Sequence, residues 1–209
     1  MRIGHDLLAT LTRVARGWGV GEAAPSPSGP PRRSRPDRVG ASLTRFGFHP
    51  GQKGGPKTAA NPTDKGKKGT KRHLVSDRRG IPLAVVLSAA NVHDSMVFEE
   101  LIDAVEPIKR PGRGRPRKRP EKLHADKAYD DRKCKGALRK RGIKSRIARK
   151  GVESSSKLGR HRWVVERTLA WLAKYRRLTI RYERRDDIHE AFLHLGCSLI
   201  CFHYLSGGF

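Results

Sequence analysis

Acidic residues are scarce in this chain: 20 Asp+Glu stand against 46 Lys+Arg in 209 residues, a formal charge of +26. A small soluble domain usually carries a net charge of about 2 to 8 in magnitude. A solvated basic surface is therefore a poor account of the excess, and a polyanionic partner, nucleic acid first, is the better one. Cysteine is also rare. Cys134, Cys197 and Cys201 form no CxxC pair, and an odd count gives no disulfide framework, so a reducing cytoplasm is the expected setting. No stretch reaches the roughly 18 uninterrupted apolar residues of a membrane span. The apolar start of the chain is broken by Asp6, Arg13 and Arg16, which argues against a secretory leader. Aromatics make up only 6% of residues and no RRM, KH or OB pattern occurs, which counts against a dedicated RNA-binding module.

What the chain does have is a 36% apolar fraction clustered after His73. Residues 7–16 have the spacing of a short amphipathic helix with no evident partner, and Gly21 to Gly69 is rich in Pro, Gly, Ser and basic residues, the composition of linker or disorder. The expected division is an N-terminal region over 1–60, largely linker, and one folded domain over 61–205. Within that domain, His73–Ser76 and Ile81–Ala89 flank a Gly-containing turn and predict a β-hairpin. Asn91 to Ser95 offers N-caps for a helix to about Val105, stopped by Pro107. A basic loop (109–120) precedes a strand over Lys122–Ala125. A helix over 131–141 closes at Gly142, a short strand covers 143–148, and 151–159 reads as loop. Helices follow over 162–174 and from a cap at Asp186 to about Tyr204. This order implies an α/β layered domain.

Two carboxylates stand out. Asp126 ends a strand at the sheet edge where α/β folds place ligands, with His124 and Asp126 alternating against Leu123 and Ala125. Glu166 shares a helix face with Trp163 and Ala170, a setting in which carboxylates are seldom left without a partner. The plain alternatives are a turn residue for Asp126 and an i, i+4 pair with Arg162 for Glu166, worth only about 0.2–0.5 kcal/mol. Carboxylates without a His or Cys ligand set suit Mg²⁺ or Mn²⁺ rather than zinc. Phosphodiester chemistry with two such ions also needs a further bridging carboxylate.

The blocks NPTDKGKKGTKRHLV, RRGIPLAVVLSAANVHDS, KLHADKAYD and GRHRWVVERTLAWLAKYRRLTIRYERR resemble those of DDE transposases of bacterial insertion sequences, in the five-like branch of the four/five superfamily, from about Asn61 to Leu205. The resemblance implies an RNase H-like mixed sheet flanked by helices, with a first Asp on the first strand, a second after the fourth strand and a Glu on a late helix. Asp126 and Glu166 match the second Asp and the Glu as catalytic, Mg²⁺- or Mn²⁺-binding residues, 40 positions apart (166 − 126). Arg162 matches the arginine four residues before that Glu. Gly159 stands where the fuller signature has tyrosine, and Ala173, with Lys174 beside it, where it has lysine. The expected partners are duplex DNA, as element terminal inverted repeats and target DNA, and a second copy of the chain. The expected location is the nucleoid in the cytoplasm.

One block departs from the family. A strand of the form LDS should fall at Thr44 and Arg45, but the chain reads ASL followed by TRFGFHPG, with no Asp between Asp37 and Asp64. The pattern is that of a frame-disrupted copy, in which loss of the first carboxylate impairs cleavage while DNA binding survives. Phosphate contacts are expected from Lys67, Lys68, Lys71, Lys127, Arg160, Arg162 and Arg167. Three readings compete: a transposase, a non-catalytic DNA-binding remnant of one, and a basic RNA-binding protein. Three weaker features are set aside. Arg113–Pro116 resembles an AT-hook core but reads as basic loop. His189 to His194 misses the HExxH spacing by one residue. Cys197 and Cys201 read as small core residues.

Overall fold

The computed structural model describes residues 40–51, 54–62, 64–108, 115–116, 119–149 and 155–206, with 40–49 and 155–162 described by backbone alone. Six strands form one mixed sheet: β1 (Gly40–Pro50), β2 (Ala59–Ala60), β3 (Lys68–Asp77), β4 (Pro82–Ala89), β5 (Lys122–Ala125) and β6 (Lys144–Ile147). β1 runs antiparallel to β3, which runs antiparallel to β4, while β1, β5 and β6 are mutually parallel. Among the described residues five α-helices flank the sheet: α1 (Asp94–Asp103), α2 (Arg132–Lys140), α3 (Ser155–Ala173), α4 (Arg176–Thr179) and α5 (Asp186–Leu205).

The hairpin forms where turn chemistry demands it. Asp77 Oδ1 accepts from the backbone N–H groups of Arg79 (2.9 Å) and Ile81 (2.8 Å), and Gly80 takes φ +86. Every residue from Gly69 to Ser76 is buried, because β3 has strand neighbours on both edges and helices over both faces. Alternate residues therefore supply two cores. Val75, Val86, Leu123 and Ala125 pack with Val97, Phe98, Leu101 and Leu138 of α1 and α2; Leu74, Val85 and Leu87 pack with Val165, Leu169, Leu172, Leu193, Cys197 and Cys201 of α3 and α5. At about 1.5–3 kcal/mol per fully buried large apolar side chain, these layers outweigh the exposed ion pairs, worth about 0–1 kcal/mol each. Gly196 allows the close approach of α5, since a Cβ there would lie 2.8 Å from Leu178 Cδ1 and 3.1 Å from Leu172 Cδ2.

Three expectations are corrected. Residues 40–50 are not linker: β1 lies between β3 and β5 at the middle of the sheet. Its apolar content is too irregular to read as a strand, and its extended form is imposed by the partners on either side. Helix α3 begins at Ser155, earlier than the serine-rich stretch suggested. The N-cap of α1, by contrast, falls within the expected Asn91–Ser95 stretch: it is His93, whose ring accepts from Ser95 N–H. The N-cap of α5 is Arg185, which makes no side-chain cap bond, and Asp186 sits one position inside, where a negative charge favours the helix N-terminus. Residues 7–16, Asp37 and the greater part of the AT-hook-like loop lie outside the described residues. Among the described residues no helix is long and apolar enough to cross a membrane.

Candidate functional site

Asp126 follows β5 directly, at the C-terminal edge of the parallel strands, and is half-buried. It caps a short 3-10 turn (Lys127–Tyr129), its Oδ1 accepting from Lys127 N–H at 2.7 Å. The turn is pinned by Tyr129, which is fully buried with its ring 5.4 Å from that of Phe98. The Tyr129 hydroxyl lies 3.1 Å from His73 Nδ1, and His73 Nε2 lies 2.8 Å from Ser88 Oγ. A buried polar chain through β3 and β4 thus fixes the backbone on which Asp126 stands. Sequence reasoning missed His73 and Tyr129. The clue available was Tyr129 three residues beyond Asp126 within HADKAYD.

The β1–β5 ladder sets what lies beside Asp126. Leu43 pairs with Ala125 in parallel register, so one further residue along both chains brings position 44 level with Asp126. Across the other edge of β1, Thr44 pairs with Leu74, whose side chain belongs to the core under α3. The residue at this register position is threonine.

Glu166 lies on the exposed side of α3, correcting the expectation of an apolar, sheltered face. The buried stripe of that helix is Val164, Val165, Thr168, Leu169 and Leu172, whereas Trp163 and Ala170 are exposed with Glu166. The turn of α3 that carries Glu166 is tied to the hairpin tip. Thr168 Oγ1 donates to Gly80 O at 2.8 Å, and Arg167 Nη2 donates to Arg79 O at 2.6 Å. Among the described residues no group of three or more His, Cys, Asp or Glu side chains converges as a metal cage. A two-metal centre for phosphodiester chemistry takes at least one carboxylate beyond a single pair.

The expected phosphate contacts divide. Lys67, Lys68 and Lys127 are exposed, with Lys67 3.8 Å from Asp64. Lys127 follows Asp126 directly, whereas Lys67 and Lys68 stand where β3 begins beside the end of β1, Lys68 six positions along β3 from Leu74, the residue level with Asp126 (74 − 68). Arg160 and Arg162 lie in the first turns of α3, whose side chains are outside the described residues. Lys71 is turned inward: its ammonium lies 3.2 Å from Asp94 Oδ1 and 2.8 Å from Val92 O, joining β3 to the start of α1. Arg167 is engaged within the chain, its guanidinium 4.5 Å from the Trp163 ring centroid and 4.7 Å from that of Trp171. Neither of these two is free to meet a phosphate as expected.

A second polar cluster lies under the beginning of β3. Arg72 is almost fully buried, donates to Leu178 O and is held down to about 10 by burial, with the neighbouring Cys197 partly opposing. His189 is buried, and burial together with the Arg72 charge lowers it to about 4, against the pull of Glu183 3.4 Å away. Arg181 donates to Thr70 Oγ1 (2.7 Å), Pro56 O (2.9 Å) and Glu183 O (3.0 Å). Burial pushes the Cys197 thiol up, as befits an inert core residue.

Comparison with known proteins now bears on this arrangement. Residues 41–201 match the model of the Transposase DDE domain family. The chain belongs to the DDE transposase family. It is 48% identical over 205 residues to a protein of Burkholderia cepacia titled "Putative transposase for insertion sequence element IS402", covering 98% of this chain and 97% of that one. A looser likeness, at 12% identity and a TM-score of 0.40, relates it to the crystal structure of the catalytic core domain of BIV integrase, over 76% of this chain and 82% of that one. The mixed sheet with helices on both faces is the α/β layered arrangement expected from the order of elements in the sequence. Asp126 follows β5, the fifth strand in chain order, and Glu166 lies on α3.

Proposed function

We propose that this chain is an insertion-sequence transposase that binds duplex DNA at element ends and target but lacks one acid of its strand-cleavage and transfer site. The observation that carries the reading is the β1–β5 register, which puts Thr44 beside Asp126. In the family reading Asp126 and Glu166 would hold Mg²⁺ or Mn²⁺, and the third acid would stand at position 44. A hydroxyl there contributes neither the negative charge nor the bridging geometry of a carboxylate. The chain is then a DNA-binding remnant with an otherwise intact fold.

DNA binding is supported by the charge of +26, by Lys127, exposed next to Asp126, and by Lys68, exposed where β3 begins. Affinity for duplex DNA is expected to fall by about a thousandfold or more between 50 and 200 mM salt if six or more phosphates are neutralised. The test compares the wild-type chain, Thr44→Asp and Thr44→Asp/Glu166→Gln for Mn²⁺-dependent nicking of duplexes carrying element ends. Binding by all three, with nicking by Thr44→Asp alone, is the expected result. Nicking by the wild-type chain would overturn the missing-acid reading, and clear preference for structured RNA over duplex DNA would overturn the transposase reading.

A further inference from the structure

The helices do not cover the sheet evenly. On the side of Leu74, Val85 and Leu87, α3 packs on β1 and β3, and α5 packs on β4. β5 and β6 turn the same side outward, because Leu123, Ala125 and Ile147 point the other way, into the core under α1 and α2. Parallel register fixes what stands there: Lys122 is level with Lys144, and His124 with Arg146. Lys144 and Arg146 are exposed, and Lys122 and His124 are half-buried. Asp126 is the next alternate residue after His124, so this row and the carboxylate share a face. With strands about 4.8 Å apart and alternate residues about 6.6 Å apart, the Cα of Arg146 is about 8 Å from that of Asp126, and that of Lys144 about 14 Å.

We propose that this open part of the sheet, with Lys122, Lys144 and Arg146, is where the sugar-phosphate backbone of duplex DNA lies as it runs to Asp126. The inference rests on the DNA-binding reading above and names a surface for it. Charge complementarity carries it. From Arg132 to Val152 the chain has no Asp or Glu. Among the described residues neither Lys122 nor Arg146 is paired with a carboxylate. Lys144 stands 4.0 Å from Glu121 with its side chain 76% exposed, too long and too open a contact to hold it. Arg149 and Lys127, both exposed, come two positions after the last rung of the ladder, Ile147 with Ala125, and carry the positive charge on to the site itself. An outer strand often carries Lys or Arg only to block pairing with another chain. That would account for Lys144 and Arg146 on β6, but not for Lys122 on β5, which has a strand on either side. One DNA strand carries a negative charge for about every 3.4 Å of the helix axis, so a row about 14 Å long meets several phosphates at once.

The experiment measures binding of a short duplex of arbitrary sequence to the full chain over a range of salt, in the wild type and two charge-matched variants. Lys144→Ala/Arg146→Ala removes two cations from the open part of the sheet. Arg139→Ala/Lys140→Ala removes two exposed cations from the last turn of α2, which covers the opposite side of the sheet. All four side chains are exposed, so thermal melts should coincide with that of the wild type. Each lost phosphate contact lowers the slope of log affinity against log salt by about 0.9, so the β6 variant should lose about 1.8 and the α2 variant nothing. Equal losses in the two variants would overturn the inference and leave DNA binding standing, as would an unchanged slope in the β6 variant. Duplex binding by the wild type that does not depend on salt would overturn the DNA-binding reading as well. Weakened binding of a structured RNA by the β6 variant, with duplex binding untouched, would assign the row to a different polyanion.

Discussion

Lys71 and Arg72 are neighbours on β3, both buried, and they face opposite layers of the molecule. On the α1 side the ammonium meets a carboxylate, Asp94, itself almost fully buried. On the α5 side the guanidinium meets a backbone carbonyl, Leu178 O, with a histidine kept neutral beside it. The first face is held by a charge pair that fails if either partner goes. The second is held by keeping nearby groups uncharged, and so answers to pH.

The strongest way to break this comparison is Asp94→Ala, which leaves Lys71 buried and unpaired. It should cost about 3–5 kcal/mol in urea unfolding, and the double variant Lys71→Met/Asp94→Leu should recover most of it. A loss below about 1 kcal/mol would mean that the pair does not hold β3 to α1. On the other face, His189 has a folded value of about 4 against 6.5 when unfolded. Its contribution is present above about pH 6.5 and is lost as pH falls towards about 4, by up to about 3 kcal/mol. His189→Gln should flatten that window in pH-dependent melts, and an unchanged profile would remove His189 from the account. Gly196→Ala should cost about 1–3 kcal/mol, because the added methyl overlaps Leu178 and Leu172. Thr168→Val, which loses the bond to Gly80 O, should cost about 1 kcal/mol and leave the pH profile unaltered.

How much of this was legible in the sequence depends on how local the cause is. The hairpin, β5 and α2 rest on turn residues and apolar spacing within a dozen positions, and the chain spells them out. β1 rests on partners 32 and 82 residues later (75 − 43 and 125 − 43), so nothing in TRFGFHPG announces it. The site was legible in the same uneven way. Asp126 could be placed because its strand is patterned. The outward turn of Glu166 could not, because Trp163 and Ala170 read as a buried face and the structure exposes both. Lys71 read as a DNA contact because its sequence neighbours are basic; its true partner, Asp94, is distant in sequence and close only across the fold.

The central position of β1 has a consequence for synthesis. Its pairing with β3 can form soon after Asp77 has emerged, but its other edge has no partner until Ala125 is made. At roughly 5–20 residues per second, the 48 residues from Asp77 to Ala125 (125 − 77) take about 2–10 s. For that interval the strand at the middle of the finished sheet is an edge strand, its unpaired backbone open to any other nascent chain. The segment that departs from the family pattern is thus also the one most exposed to aggregation on the ribosome.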